Sequence, residues 1–139
     1  MVAEVARAVA SPLVLPAAGE LDFAQLAGLL RRAALYVGPD TSVTHLAAAC
    51  GVPVVALFGP VDPGLWGPWS GRLPPIVPYE RRALLQRSGT VSLLQGTAAC
   101  VPCNGAGCEN HDASVSECLE TMAPARVIAA ARARLAEPR

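Results

Sequence analysis

Two groups of residues in this chain have types and spacing that could do chemistry. In the first, Asp40, Thr41 and Ser42 follow the short apolar run Leu35 to Val37, and His45 lies three positions further on. A carboxylate at a strand tip can accept hydrogen bonds from sugar hydroxyls or cap the helix that follows, and neighbouring hydroxyls and backbone N–H groups suit a diphosphate. A histidine in a first helical turn faces the positive end of the helix dipole, which disfavours imidazolium and suits a neutral hydrogen-bond donor or a packing role. Gathered at a helix start, these residues read as an anion site of the phosphate or nucleotide-sugar kind.

The second group is made of thiols. Cys100, Cys103, Cys108 and Cys118 are separated by two, four and nine residues, with Gly105 and Gly107 able to form a tight knuckle between them. Four thiolates are a candidate structural zinc site or iron–sulfur cluster, with His111 as a substitute ligand. Reduced thiols packed in a loop are the competing reading, since a single Cys-x-x-Cys is a weaker signal than two. A thioredoxin-like dithiol is disfavoured, because Asn-Gly-Ala-Gly follows Cys103 where a helix would be needed to lower the thiol pKa. Cys50 lies among small residues and reads as a core thiol, and a total of five cysteines argues against a fully paired disulfide framework.

The elements that must position these groups alternate along the chain. Val2, Val5, Ala6 and Val9 recur at helical spacing, and Leu13 to Leu15 reads as a strand closed by Pro16. Asp22 and Gln25 form a capping-box pattern before the stripe Phe23, Leu26, Ala27 and Leu30. Leu35 to Val37 is the next strand, Val43 to Cys50 a helix ending at Gly51, and Val54 to Phe58 an uninterrupted apolar run of the kind that fills a parallel sheet. A long Pro/Gly-punctuated loop follows, in which Trp66 and Trp69 are expected to pin the chain to the core and Ile76–Val77 could form a short strand. Val91 to Leu94 is a strand or a turn of helix. A helix over 124–136 closes the chain, with Val127, Ile128, Ala131 and Leu135 on one face. The pattern is α/β: a Rossmann-like parallel sheet with helices on both faces.

Composition narrows the function classes. In 139 residues with 53% apolar content, one core and one domain over 1–139 are expected. Eleven basic and eleven acidic residues cancel, so nothing draws the chain to nucleic acid. Every basic residue is arginine, which excludes a lysine Schiff base and a Gly-Lys-Ser/Thr phosphate loop. No apolar stretch reaches the roughly 18 residues of a membrane span, and no secretory signal is evident, so a cytoplasmic location with at most peripheral membrane contact is expected. Arg81, Arg82 and Arg87 are expected to form a solvated charged face rather than an anion contact.

The stretch Asp40-Thr41-Ser42-Val43-Thr44-His45-Leu46-Ala47-Ala48-Ala49, continued by Gly51-Val52-Pro53-Val54-Val55-Ala56-Leu57-Phe58-Gly59-Pro60 and Asp62-Pro63, resembles the donor-sugar core of the lipopolysaccharide heptosyltransferases, glycosyltransferase family 9. The resemblance runs upstream through Gly19 to Arg32 and downstream to Trp66-Gly67-Pro68 and the cysteine segment at 96–119. It implies a partial C-terminal domain of a GT-B fold, in which Asp40 binds heptose hydroxyls, Thr41 and Ser42 hold the diphosphate, His45 lies close by and Leu21 lies beside the adenine. It further implies an ADP-sugar as donor, a lipopolysaccharide core acceptor, and an inverting transfer at the inner face of the cytoplasmic membrane that requires no cofactor. The family usually carries glycine where Ser42 stands, which narrows the approach to the phosphates here. Similar proteins also carry a further strand with a glycine-containing phosphate loop, and an N-terminal domain with the catalytic base, so no residue of this chain is assigned as catalytic and the isolated chain is expected to be inactive. Another GT-B nucleotide-sugar enzyme, a UDP-sugar transferase or an epimerase, and a cysteine-based metal-binding interaction module are the alternatives.

Overall fold

The uninterrupted apolar run Val54–Phe58 forms a strand in the middle of the sheet, where side chains on both faces can be buried. The computed structural model describes residues 2–71, 79–111 and 113–138. Among these, β1 (Tyr36–Pro39), β2 (Val54–Phe58), β3 (Leu85–Ser88) and β4 (Val91–Gln95) form one sheet in the order β1-β2-β4-β3. β1, β2 and β4 are parallel, with Gly38 opposite Ala56 and Phe58 opposite Gln95, and β3 runs antiparallel along β4.

Helices cover both faces. α2 (Phe23–Leu30) and α3 (Ser42–Ala49) send Leu30, Ala47 and Ala48 against Val54, Ala56 and Phe58 of β2 and Val91 and Leu93 of β4. α6 (Pro124–Ala136) packs Ala130 on Val55 and Leu94 of the opposite face, with Leu57, Val127 and Ala131 beside them. This is the expected α/β layering of a partial Rossmann-like domain. α1 (Val2–Val9) opens the described chain, and the single-turn helices α4 (Pro63–Trp66) and α5 (Glu117–Glu120) lie in the connections.

Local signals account for most boundaries. The capping box at α2 is complete: Gln25 N–H donates to Asp22 Oδ1 at 2.8 Å, and Asp22 N–H donates to Gln25 Oε1 at 2.9 Å. α3 stops where Gly51 turns left-handed at φ +76°.

Three expectations need correction. Leu13 to Leu15 is not a strand: it begins in a turn and lies outside the sheet, with Leu13 and Leu15 89% and 85% exposed. Flanked by Pro12 and Pro16, so short a run has few N–H groups to give a ladder. The inward stripe of α6 is carried by Val127, Ala130, Ala131 and Arg134, while Ile128 and Leu135 are exposed. β3 was not anticipated at all. Its hairpin to β4 turns through Gly89 and Thr90, with Gly89 at φ +50°. The strand considered at Ile76–Val77 lies outside the described residues.

Candidate functional site

β1 and β2 both point their carboxyl ends at the start of α3, which makes the crevice where open α/β sheets take ligands. Thr41 is the N-cap of α3, with extended backbone, and its hydroxyl makes no capping bond. The N–H groups of Thr44 and His45 turn back to the Thr41 carbonyl at 3.0 and 3.3 Å. The amides ahead of them, at Ser42 and Val43, come too early in the helix to have an intrahelical acceptor. Thr41 and Ser42 are exposed, so their hydroxyls and these amides open onto the crevice together.

Asp40 does not act as the helix cap. Its Oδ1 lies 3.3 Å from His45 Nε2, which pairs a half-buried carboxylate with a half-buried imidazole at the mouth of the crevice. With Nε2–H as donor, His45 fixes the carboxylate and leaves the second oxygen of Asp40 open to hydroxyl donors. The turn beneath them is held by Thr44, a residue the sequence reading did not single out. It is fully buried, and its hydroxyl donates to the Pro39 carbonyl. With that proton committed, the Tyr36 hydroxyl 3.1 Å away is the donor of the second contact. Gly38 is required here, since a Cβ would run into the Tyr36 ring.

Leu21 precedes α2, on an element separate from the start of α3, and its side chain is exposed. The far rim of the crevice follows β2. Asp62 caps α4 through Gly64 N–H at 2.8 Å, and its Oδ2 lies 3.3 Å from Arg81 Nε. Asn104 joins this rim from the cysteine segment: its Oδ1 accepts from Asp62 N–H at 2.9 Å, and its own N–H donates to the Pro60 carbonyl at 2.7 Å. The available signal for Asn104 was the Asn-Gly pair at 104–105, since Asn104 adopts φ +56°.

One expectation about side chains changes. Trp66 and Trp69 do not pin the long loop, being 60% and 46% exposed. Tyr79 does: its hydroxyl donates to the Pro68 carbonyl at 2.8 Å and its ring leaves no room for a Cβ on Gly67. Burial pushes the Tyr79 phenol up to about 12. The three arginines are exposed but partnered. Arg81 pairs with Asp62, Arg82 donates to the Ala98 and Ala99 carbonyls, and Arg87 meets Glu137 at 2.9 Å.

All five cysteines are free thiols, with Cys118 buried and Cys100, Cys103 and Cys108 exposed. Burial pushes the Cys118 thiol pKa up, and nearby Cys108, Cys100 and Cys103 push it further. The Glu117 N–H donates to Cys108 Sγ at 3.4 Å. His111 is turned to Glu109, at 2.9 Å. Among the described residues no three His, Cys, Asp or Glu side chains form a group that could hold a metal ion. Nor is any helix of the described chain long and apolar enough to cross a membrane.

Residues 2–93 match the model of glycosyltransferase family 9 (heptosyltransferase). The match contains the whole Asp40–His45 crevice and stops before the cysteine segment. The chain is 38% identical over 70 residues to lipopolysaccharide heptosyltransferase 3 of Escherichia coli, covering 50% of this chain and 21% of that protein. It is 47% identical over 47 residues to lipopolysaccharide heptosyltransferase 1 of Pseudomonas aeruginosa, covering 34% of this chain and 13% of that protein. The chain thus spans a minor part of the curated relatives it matches. No solved structure matches it. With two strands, the helix between them and the crevice at their ends all inside the matched residues, the chain belongs to glycosyltransferase family 9.

Proposed function

We propose that this chain is the nucleotide-sugar-binding part of a glycosyltransferase that moves a heptose-type sugar from an ADP-sugar to a lipopolysaccharide core acceptor. The observation that carries the reading is the exposed start of α3 at the carboxyl ends of two parallel strands, beside the Asp40–His45 pair. In this reading the diphosphate sits on the amides of Ser42 and Val43 and the hydroxyls of Thr41 and Ser42. Negative charge that develops on the departing ADP falls where the α3 dipole and these N–H groups stabilise it, without a metal. Asp40, held by His45, accepts hydrogen bonds from the sugar hydroxyls, and Leu21 lies beside the base.

The transfer is of the inverting class, and this chain serves its leaving-group side. The base that activates the acceptor hydroxyl belongs to an N-terminal domain, so 1–139 is part of the C-terminal domain of a GT-B enzyme. The acceptor is lipid-linked, which places the work at the cytoplasmic face of the membrane with peripheral contact only.

Titration calorimetry of the chain with ADP, an ADP-sugar and a UDP-sugar tests this reading. The expected order is ADP-sugar tightest and UDP-sugar weakest, with Asp40→Ala removing the advantage of ADP-sugar over ADP. Preference for the UDP-sugar would favour a different GT-B nucleotide-sugar enzyme, and indifference to Asp40→Ala would sink the assignment of that carboxylate.

A further inference from the structure

The connection that follows β2 is built from two kinds of residue that face opposite ways. Pro63, Gly67, Pro68 and Ser70 are buried, while Leu65, Trp66 and Trp69 are 74%, 60% and 46% exposed. The inner residues fasten the outer ones in place. Asp62 caps α4 through the Gly64 N–H, the Gly67 N–H donates to the Pro63 carbonyl at 2.8 Å, and Tyr79 holds Gly67 with its ring and Pro68 with its hydroxyl. Burying an indole is among the largest single gains open to a folding chain, so two indoles and a leucine kept in water by a well-fastened loop mark a contact surface.

Shape and charge narrow what that surface meets. The three side chains line neither the cleft of about 640 Å³ beside Arg31 and Gly51 nor the groove of about 310 Å³ beside Leu84 and Ala129, and at these exposures they project from the loop. From residue 60 to 82 the sequence carries two carboxylates, Asp62 and Glu80. Asp62 is buried and paired with Arg81, which leaves Glu80 as the exposed carboxylate beside the exposed Arg81 and Arg82. Because Arg81 reaches the residue that caps α4, positive charge stands next to the apolar projection. Protruding tryptophan and leucine flanked by arginine match a bilayer surface, where an indole keeps its ring in the apolar boundary and its N–H in water, and a guanidinium meets lipid phosphate.

We propose that Leu65, Trp66 and Trp69 insert into the headgroup layer of an anionic lipid bilayer, with Arg81 and Arg82 against the lipid phosphates. Each guanidinium has five N–H donors, more than its contacts with Asp62 and the Pro102 carbonyl, or with the Ala98 and Ala99 carbonyls, consume. α4 begins directly after Asp62 on the crevice rim, so a bilayer held there lies on the side of the sheet where the sugar site opens. The proposal rests on the reading of a lipid-linked acceptor, and it names the surface by which the chain meets the membrane that carries it.

Both tryptophans of the protein lie in this loop, so tryptophan emission reads the contact directly. The full chain is mixed with vesicles of phosphatidylcholine, or of phosphatidylcholine with an equal share of phosphatidylglycerol. Emission is expected to move to shorter wavelength on the mixed vesicles and to be quenched when their acyl chains are brominated. Binding to the mixed vesicles is expected to exceed binding to phosphatidylcholine alone, with high salt narrowing the gap. Leu65→Ser leaves both reporters in place and should weaken co-sedimentation with the mixed vesicles about tenfold. No shift and no quenching would overturn the proposal, as would unchanged binding by Leu65→Ser. A shift without quenching by brominated lipid would also reject it, since the indoles are then covered by a second copy of the chain. Equal binding to the two vesicles would remove the arginines from the contact. Quenching needs no variant, so it decides even if Leu65→Ser fails to fold. ADP-sugar calorimetry on Leu65→Ser is expected to match the wild-type chain, and no vesicle readout involves a nucleotide sugar, so this surface and the proposed sugar site stand or fall separately.

Discussion

Asp40 and Thr44 show how neighbouring residues divide the work of one turn. Asp40 faces the crevice and is oriented by His45, whereas Thr44 is buried below and ties Pro39 to Tyr36. If Asp40 touches only the sugar, Asp40→Ala should weaken ADP-sugar binding about tenfold or more, the worth of one charged hydrogen bond. Binding of ADP itself should stay nearly constant, and calorimetry with both ligands separates the two. Thr44→Val keeps the shape of the side chain but takes the buried hydroxyl partner from the Pro39 carbonyl and the Tyr36 hydroxyl at a partly buried turn. It should cost about 1–3 kcal/mol, read as a lower urea midpoint with an unchanged denaturant slope. Asp40, Thr41, Ser42 and His45 were legible because their types announce their chemistry. Thr44 was not, since a threonine in a helix gives no sign of where its hydroxyl goes.

At the scale of elements, the caps and the apolar runs carried the reading. The Asp22–Gln25 box is local, closed by residues three apart, and Asp22→Ala should cost about 1 kcal/mol in thermal or urea unfolding. The same logic fails for the hairpin of β3 and β4. Leu85–Ser88 alternates weakly, with Gln86 and Arg87 in its middle, and becomes a strand because β4 offers an edge to pair with. Gln95, fully buried at the end of β4, secures that edge by accepting from Ala83 N–H and donating to the Arg81 carbonyl. Gly96 beside it is forced by packing. A Cβ there would stand 2.7 Å from the Cys118 carbonyl oxygen, a backbone atom that no rotamer can move. Gly96→Ala should destabilise the fold by about 1–3 kcal/mol, while Gly71→Ala, whose added Cβ would meet no atom of the described residues within 4 Å, should change little. Parallel unfolding curves for the two variants check this.

In the whole molecule, stability depends on contacts between distant parts of the chain. Arg134 is buried on α6 and donates to Ser92 Oγ and to the Gly89 and Val91 carbonyls, locking the hairpin to the last helix. Tyr79 similarly locks the long loop, and its titration makes this visible. Below pH 10 the phenol is protonated in both states. Between 10 and about 12 the unfolded chain loses the proton while the folded chain keeps it, so stability falls as pH rises through that window. The loss should reach about 2–3 kcal/mol, and Tyr79→Phe should remove most of this slope in urea unfolding measured at successive pH values. What the sequence by itself determined was the alternation of helices and strands, the capped helix starts, the crevice at Asp40–His45 and the grouping of four cysteines. These depend on neighbours a few residues apart, where periodicity, capping and turn geometry act. Only the tertiary structure decided that Asn104 meets Asp62, that Tyr79 rather than the tryptophans holds the loop, that Arg134 lies inside α6's face and that Leu13 to Leu15 stays out of the sheet. Each of these outcomes is a competition for burial and hydrogen-bond partners between segments far apart in the chain, and no short window of sequence contains both competitors.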